Sequence, residues 1–323
     1  MSKVLTVIIP VYKVEKYINK CLDSLIVLDE LMDQLEVIVV NDGTPDCSAE
    51  MAREYEKKYP QTFRVIDKEN GGHGSAWNRG LKEVTGKYLR FLDSDDWFDT
   101  GNLVKLMTFL QEIDADIIFT PKTDFFAENN TYRICSYFEN LKENYVYNAD
   151  DFEWLSLGMS MEITNFQYCS YKTEMFRQLI PLFLEHQSYD DSILFIVPII
   201  YAKSFVYYNL NVYYYLLGRE GQTANDAAKI RNYKHLENVK KQMIRFYKDH
   251  PVSSPTKKAK LDAIMNTIIW RHYDLLNSLP KKNSRVELKA WHRFLEKEYP
   301  FYRKSWKIRL YEILPFAVYR LLV

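Results

Sequence analysis

A chain of 323 residues with 47% hydrophobic and 27% charged side chains has the balance of a folded globular protein, which excludes a disordered one. Lysine plus arginine number 43 and aspartate plus glutamate number 43, so nothing supports a bulk electrostatic affinity for nucleic acid. Cys21, Cys47, Cys135 and Cys169 are far apart and form no Cys-x-x-Cys pair, which speaks against structural zinc or a disulfide framework and for a reducing compartment.

The first element is "LTVIIPVY" (5–12), a β-branched apolar strand interrupted by Pro10. It is too short for the core and cleavage site of a signal peptide, or for the roughly 20 residues of a spanning helix. No later stretch is long enough either, so the expected location is the cytoplasm. A helix is predicted over "KYINKCLDSLIVL", then a second buried strand, "LEVIVVND" (35–42), and the helix "CSAEMAREYEKKY". "FRVIDK" (63–68) is a third strand, "GSAWNRGLKEV" (74–84) a helix, and "KYLRFLD" (87–93) a fourth strand. The helix "TGNLVKLMTFLQEI" leads to a fifth strand at "DADIIFT". Apolar strands alternating with amphipathic helices predict an α/β fold with a mainly parallel sheet covered on both faces.

Residues 120–220 are rich in tyrosine and phenylalanine, with a helix expected over 190–203 and short strands at "SFVYYN" and "VYYYLL". From about 226 onward the pattern is helical throughout. The expected division is a catalytic domain over 1–224 and a C-terminal helical subdomain over 225–323.

Right-handed crossovers place the C-terminal ends of parallel strands on one edge, where ligands of such sheets bind. That edge collects Pro10 and Tyr12, then Asn41, Asp42 and Gly43, then Glu69, Asn70, Gly71 and Gly72, and finally Asp93, Asp95 and Asp96 of "RFLDSDDW". Three carboxylates within four positions repel one another. Capping of the next helix needs only one carboxylate, and Asp99 is better placed for it. The competing reading is a divalent cation, Mn²⁺ or Mg²⁺, held by one or two carboxylates and completed by a phosphorylated substrate. No Walker A sequence is present, and the glycines of "NGGHGSAWNRG" (70–80) lack the spacing of the dinucleotide fingerprint.

Four segments in order, "VIIPVYKVEKYINKCLDSL", "EVIVVNDGTPD", "ENGGHGSAWNRGL" and "KYLRFLDSDDW", resemble family 2 glycosyltransferases, nucleotide-sugar-dependent enzymes of the GT-A type. The resemblance continues through "YDDSILF" (189–195) and "YYYLLGREGQT" (213–223). It implies a UDP-sugar donor, with Pro10, Tyr12 and Asp42 at the uridine and Asn70, Gly72 and Ser94 in the same donor site. It implies Asp93 near the ribose, Asp95 on the metal, and Asp96 assisting. The family often has an arginine where Trp77 stands, and Arg79 is the candidate substitute. Asp190 and Asp191 match the family's acidic pair, with Asp191 as general base. Arg219 matches a cation that closes over the diphosphate, on a segment hinged at Gly218 and Gly221.

The bland alternatives are packing for Tyr12, an Asp-Gly turn for Asp42, a helix cap for Asp191, and a solvated charge for Arg219. The implied reaction moves a hexose (galactose, glucose or an N-acetylhexosamine) with inversion onto a hydroxyl of a glycan or glycosylated protein. A sugar-phosphate nucleotidyltransferase would want a glycine-rich, arginine-containing loop after strand one, which "PVYKVEKY" lacks. A catalytically silent glycan-binding or scaffold subunit would not require Asp95 and Asp191. The tail, residues 303–323, carries Trp306, Leu310 and Leu314 among basic residues, with Pro315 breaking any helix. Docking on the chain, peripheral contact with an anionic membrane, and self-association all suit it.

Overall fold

The structure is a computed structural model, and it describes residues 2–219 and 226–300. All seven residues of β1 (Leu5–Val11) are buried, as expected of a strand covered on both faces. The chain continues through α1 (Ile18–Asp23), α2 (Asp29–Met32), β2 (Leu35–Asn41), α3 (Ser48–Lys58), β3 (Phe63–Asp67), α4 (His73–Leu81) and β4 (Tyr88–Phe91). β1 lies between β2 and β4 and is parallel to both, and β3 extends the parallel set beyond β2. This is the βαβ half expected from the sequence.

The next segment holds β5 (Trp97–Phe98), α5 (Thr100–Glu112), β6 (Ile117–Phe119), β7 (Lys122–Phe126), β8 (Thr131–Cys135), β9 (Val146–Asn148) and β10 (Cys169–Lys172). It is followed by α6 (Val197–Tyr201), β11 (Ser204–Tyr207) and β12 (Tyr213–Leu217). β10 inserts antiparallel between β4 and β6, completing an eight-stranded sheet in the order β3-β2-β1-β4-β10-β6-β11-β9. A smaller sheet, β5-β12-β7-β8, stands beside it. It pins the segment after the aspartate cluster, because β5 pairs with β12 through Trp97 and Tyr214.

The helix expected over 190–203 is instead a 3-10 turn at Asp190–Phe195 followed by α6, with Pro198 in its first turn. Proline has no N–H to donate, so it opens a helix far more readily than it continues one. The predicted first helix stops at Asp23, short of the apolar run that follows.

α7 (Asp226–Arg231), α8 (Tyr233–Asp249), α9 (Pro255–Ser278) and α10 (Lys281–Glu298) complete the described chain. Val239, Met243, Leu261, Ile268 and Trp291 of these helices belong to the same continuous apolar core as β1 and β2. The helical region is therefore packed onto the rest of the chain, α8 against the 3-10 turn at Asp190–Phe195 and α9 against α6. Arg90 of β4 is fully buried and donates to the Gln167 carbonyl at 3.0 Å; burial pulls its guanidinium down to about 10. No described helix is long and apolar enough to cross a membrane. The tail 303–323 and Gly221 lie outside the described residues.

Candidate active site

The ends of β1, β2 and β4 open into a cavity of about 950 Å³. Its walls include Pro10, Tyr12, Asp42, Asn70, Gly72 and Asp93, together with Ser94, Asp95, Asp190, Asp191 and Arg219. Segments more than 200 positions apart in the sequence thus line one cleft, as the edge argument expects. Tyr12 is 43% exposed and is not a core residue.

Asp42 does more than terminate a turn. Its carboxylate accepts from Gly71 N at 2.9 Å, Gly72 N at 2.8 Å and Lys68 Nζ at 2.6 Å. Its carbonyl accepts from Asn70 Nδ2 at 2.9 Å. Three of about four acceptor positions on the carboxylate are filled, so Asp42 straps the glycine loop onto β2 and keeps one position for a ligand. Gly72 has φ 86°, a conformation that favours glycine, and from it α4 begins.

The aspartate cluster divides by environment. Carboxylate oxygens of Asp93, Asp95 and Asp96 lie within 4.8 Å of one another. Asp96 is 1% exposed, and both its oxygens are engaged, by Tyr213 Oη at 2.6 Å and Leu216 N at 2.8 Å. Burial pushes its pKa well above the carboxylate range, and the charges of Asp95 and Asp93 push the same way. Asp95 is raised for the same first reason, with Asp93 next, and it is ion-paired with Arg219. Asp99 caps α5 by accepting from Asn102 N at 2.8 Å, so capping is not the task of the other three. The cluster fits a divalent cation: hard oxygen donors close together, in surroundings that resist their full ionisation. Asp93 and Asp95 are the candidate ligands. Asp96 is the poorer one, since its lone pairs already hold β12 in place.

Opposite the cluster, Asp190 is buried and Asp191 lines the cleft. Burial, and then the charge of Asp190, raise the Asp191 pKa to about 7. Tyr189 just before them takes a left-handed φ of 67°, and the 3-10 turn that carries the pair begins directly after it. His73 joins the two sides. Its Nδ1 lies 3.0 Å from Asp190 Oδ2 and its Nε2 lies 3.1 Å from Asp93 Oδ1. Burial opposes the imidazolium, but Asp190 and then Asp93 hold its pKa well above the usual histidine value. The close approach is possible because position 74 is glycine: a Cβ there would sit 2.7 Å from Asp190 Oδ2 and 2.5 Å from the Leu184 carbonyl oxygen. Sequence reasoning gave His73 no role. Its only signal was that no other histidine falls within a motif segment.

Family comparison gives this geometry a context. The family described as Glycosyl transferase family 2 matches residues 6–178, more than half of the chain. The chain belongs to glycosyltransferase family 2. Glycosyltransferase GlyA of Streptococcus pneumoniae is 35% identical over 184 residues, covering 54% of this chain and 25% of that protein. Minor teichoic acid biosynthesis protein GgaB of Bacillus subtilis is 37% identical over 126 residues, covering 39% of this chain and 14% of that protein. The chain thus spans a quarter or less of the length of these two relatives.

Among solved structures, S. aureus TarS 1-349 superposes with a TM-score of 0.69 at 19% identity, over 92% of this chain and 81% of that one. The mannosyltransferase PcManGT of Pyrobaculum calidifontis, in complex with GDP-Man and Mn²⁺, gives 0.57 at 18% identity, over 94% of this chain and 83% of that one. At these identities the likeness is one of fold, and the fold is GT-A.

Against the family 2 pattern, α4 departs in a way the structure explains. Trp77, at the position of the usual arginine, is fully buried. It packs on His73, Phe91, Phe166 and Phe183 at ring-centroid distances of 4.1 to 5.0 Å. Arg79 does not take over the missing contact. It pairs with Glu83 at 2.6 Å and does not line the cleft. Six residues along a helix turn it about 240° from His73, onto another face. Trp77→Arg would restore the family residue but bury an unpaired cation in an aromatic cluster. It is expected to cost at least about 3 kcal/mol of stability, read as a lowered denaturation midpoint. An unchanged midpoint would mean that the indole site is open to solvent.

Proposed function

We propose that this chain is a metal-dependent, inverting glycosyltransferase that moves a hexose from a UDP-sugar to a hydroxyl of a cell-surface glycan or glycosylated protein. The observation that carries the reading is one cleft with Asp93 and Asp95 on one side and the Asp190–Asp191 pair on the other, with His73 bridging Asp93 and Asp190. TarS, which shares the fold, is described in complex with UDP-GlcNAc, and PcManGT with GDP-Man and Mn²⁺; both support a nucleotide-sugar donor.

The acceptor hydroxyl is a poor nucleophile until its proton is removed. Asp191 accepts that proton as the oxygen bonds to the anomeric carbon. The bond from that carbon to the diphosphate oxygen breaks on the opposite face, and its electron pair departs with UDP. Attack opposite the leaving group inverts the anomeric centre. Asp93 and Asp95 would hold a divalent cation, which would offset the charge that grows on the diphosphate. Arg219, seated on Asp95, is in place to turn its guanidinium toward the same oxygens. His73 spaces the two carboxylate walls and holds Asp190 and Asp93 in register. Asp42, Asn70 and Gly72 form the floor on which the nucleoside rests, with Pro10 and Tyr12 as its wall.

A panel of UDP-glucose, UDP-galactose, UDP-N-acetylhexosamines and GDP-mannose, each incubated with Mn²⁺ and enzyme, tests the donor. Release of UDP from at least one UDP-hexose is expected. Turnover of the GDP-sugar alone would overturn the uridine assignment.

A further inference from the structure

The cleft does not stop at Asp191. It continues between α8 and α9, where Lys229, Lys240 and Arg271 line it together with Leu236, Met243 and Leu275. This arm starts on the general-base side. The segment before Asp190 is seated on α8, with Ser188 N donating to His235 Nδ1 at 3.1 Å and Asn238 Nδ2 donating to Gln187 Oε1 at 3.1 Å. The acids that line the cleft at the ends of β1, β2 and β4, and Arg219 with them, belong to its donor side.

The three cations are gathered with little acid among them. Lys229 pairs with Asp226 at 3.1 Å, a carboxylate 92% exposed. Lys240 Nζ lies 3.5 Å from His272 Nδ1, and Arg271 forms no ion pair among the described residues. Burial and then repulsion from Arg271 bring the Lys240 ammonium down to about 7, while Asp274 pulls the other way. Such a cluster repels itself as the aspartates do, and an anion would relieve it.

We infer that this arm binds a phosphate group of the acceptor, so that the hydroxyl presented to Asp191 belongs to a polyol or glycan chain carrying phosphodiesters. The guanidinium of Arg271 can fork onto two phosphate oxygens, Lys240 and Lys229 add point charges, and Leu236 and Leu275 offer an apolar wall to the carbon chain. The inference rests on the transferase reading of the cleft, in which Asp191 faces an acceptor.

The test is calorimetric titration of the whole chain, with UDP present, by a short synthetic oligomer of glycerol phosphate, by a neutral oligosaccharide, and by phosphatidylglycerol vesicles. The oligomer should bind the wild type, and Arg271→Glu should weaken it by at least about tenfold, the worth of one charge-assisted hydrogen bond. Lys229→Glu, on a separate helix, should weaken it in the same direction. Both positions are at the surface, and an unchanged melting temperature confirms folding. The neutral oligosaccharide should be indifferent to both substitutions. Equal affinity of the oligomer for wild type and Arg271→Glu overturns the inference. So does Arg271-dependent binding of vesicles without binding of the soluble oligomer, which would make the ligand a lipid headgroup. UDP titrated alone into the wild type is read separately: failure there overturns the transferase reading, whatever the oligomer does.

Discussion

Asp191→Asn is expected to lower sugar transfer by about 10³-fold, keep UDP binding, and melt at a higher temperature than the wild type at about pH 8. The three outcomes share one cause. Burial, then the charge of Asp190, hold the Asp191 carboxyl at about 7. An unfolded aspartate ionises near 4. Between those values the folded chain holds a proton that the unfolded chain has lost, so stability falls as pH rises through the window. Above it the full burden remains, on the order of 2 kcal/mol once water in the cleft screens the charge. Asparagine removes the charge, so the variant should melt about 2–4 °C higher above pH 7 and match the wild type below about pH 4. Transfer by the wild type should climb with pH through an apparent pKa near 7, and the residual rate of the variant should lack that inflection. Loss of UDP binding in Asp191→Asn would show that this carboxylate holds the donor instead.

The parts of this site that were legible in the sequence sit directly after strands. Tyr12, Asp42 and Asp93 each follow a short apolar run whose length and composition mark the strand and whose end marks the edge. Asp190 and Asp191 were legible only through resemblance, because the helix expected there is a 3-10 turn whose direction depends on packing against α8. β10 was not visible: "CSYK" has one aromatic residue and no β-branched one, and it is a strand because β4 and β6 flank it. Arg79 misled because proximity in sequence to a motif says nothing about which helix face a side chain occupies. Trp77 and His73 form one unit, with rings 4.1 Å apart, and the partners that define it come from residues 93, 166, 183 and 190. A single sequence cannot display such long-range pairing. It displayed only the departure at position 77, which the aromatic cluster explains.

The aspartates of "RFLDSDDW" should separate under mutation as they do in space. Asp95→Ala is expected to reduce transfer by at least about 10³-fold without lowering the melting temperature appreciably. The substitution removes a carboxylate whose burial and repulsion from Asp93 already work against the fold, and the cost is the ion pair with Arg219. Asp96→Ala should behave differently. It strips partners from a buried tyrosine hydroxyl and a buried backbone N–H on β12, so about 2–4 kcal/mol of stability should go with it. Chelation by EDTA should reproduce the Asp95→Ala phenotype and leave the melting temperature of Asp95→Ala itself unchanged. Added Mn²⁺ should restore transfer to the chelated wild type and raise its melting temperature, while doing neither for Asp95→Ala. Full activity under chelator, or in Asp95→Ala, would remove the metal from the mechanism. In that event Arg219, which is ion-paired with Asp95, would be the candidate for stabilising the leaving diphosphate, and Arg219→Ala would have to show the loss that Asp95→Ala did not.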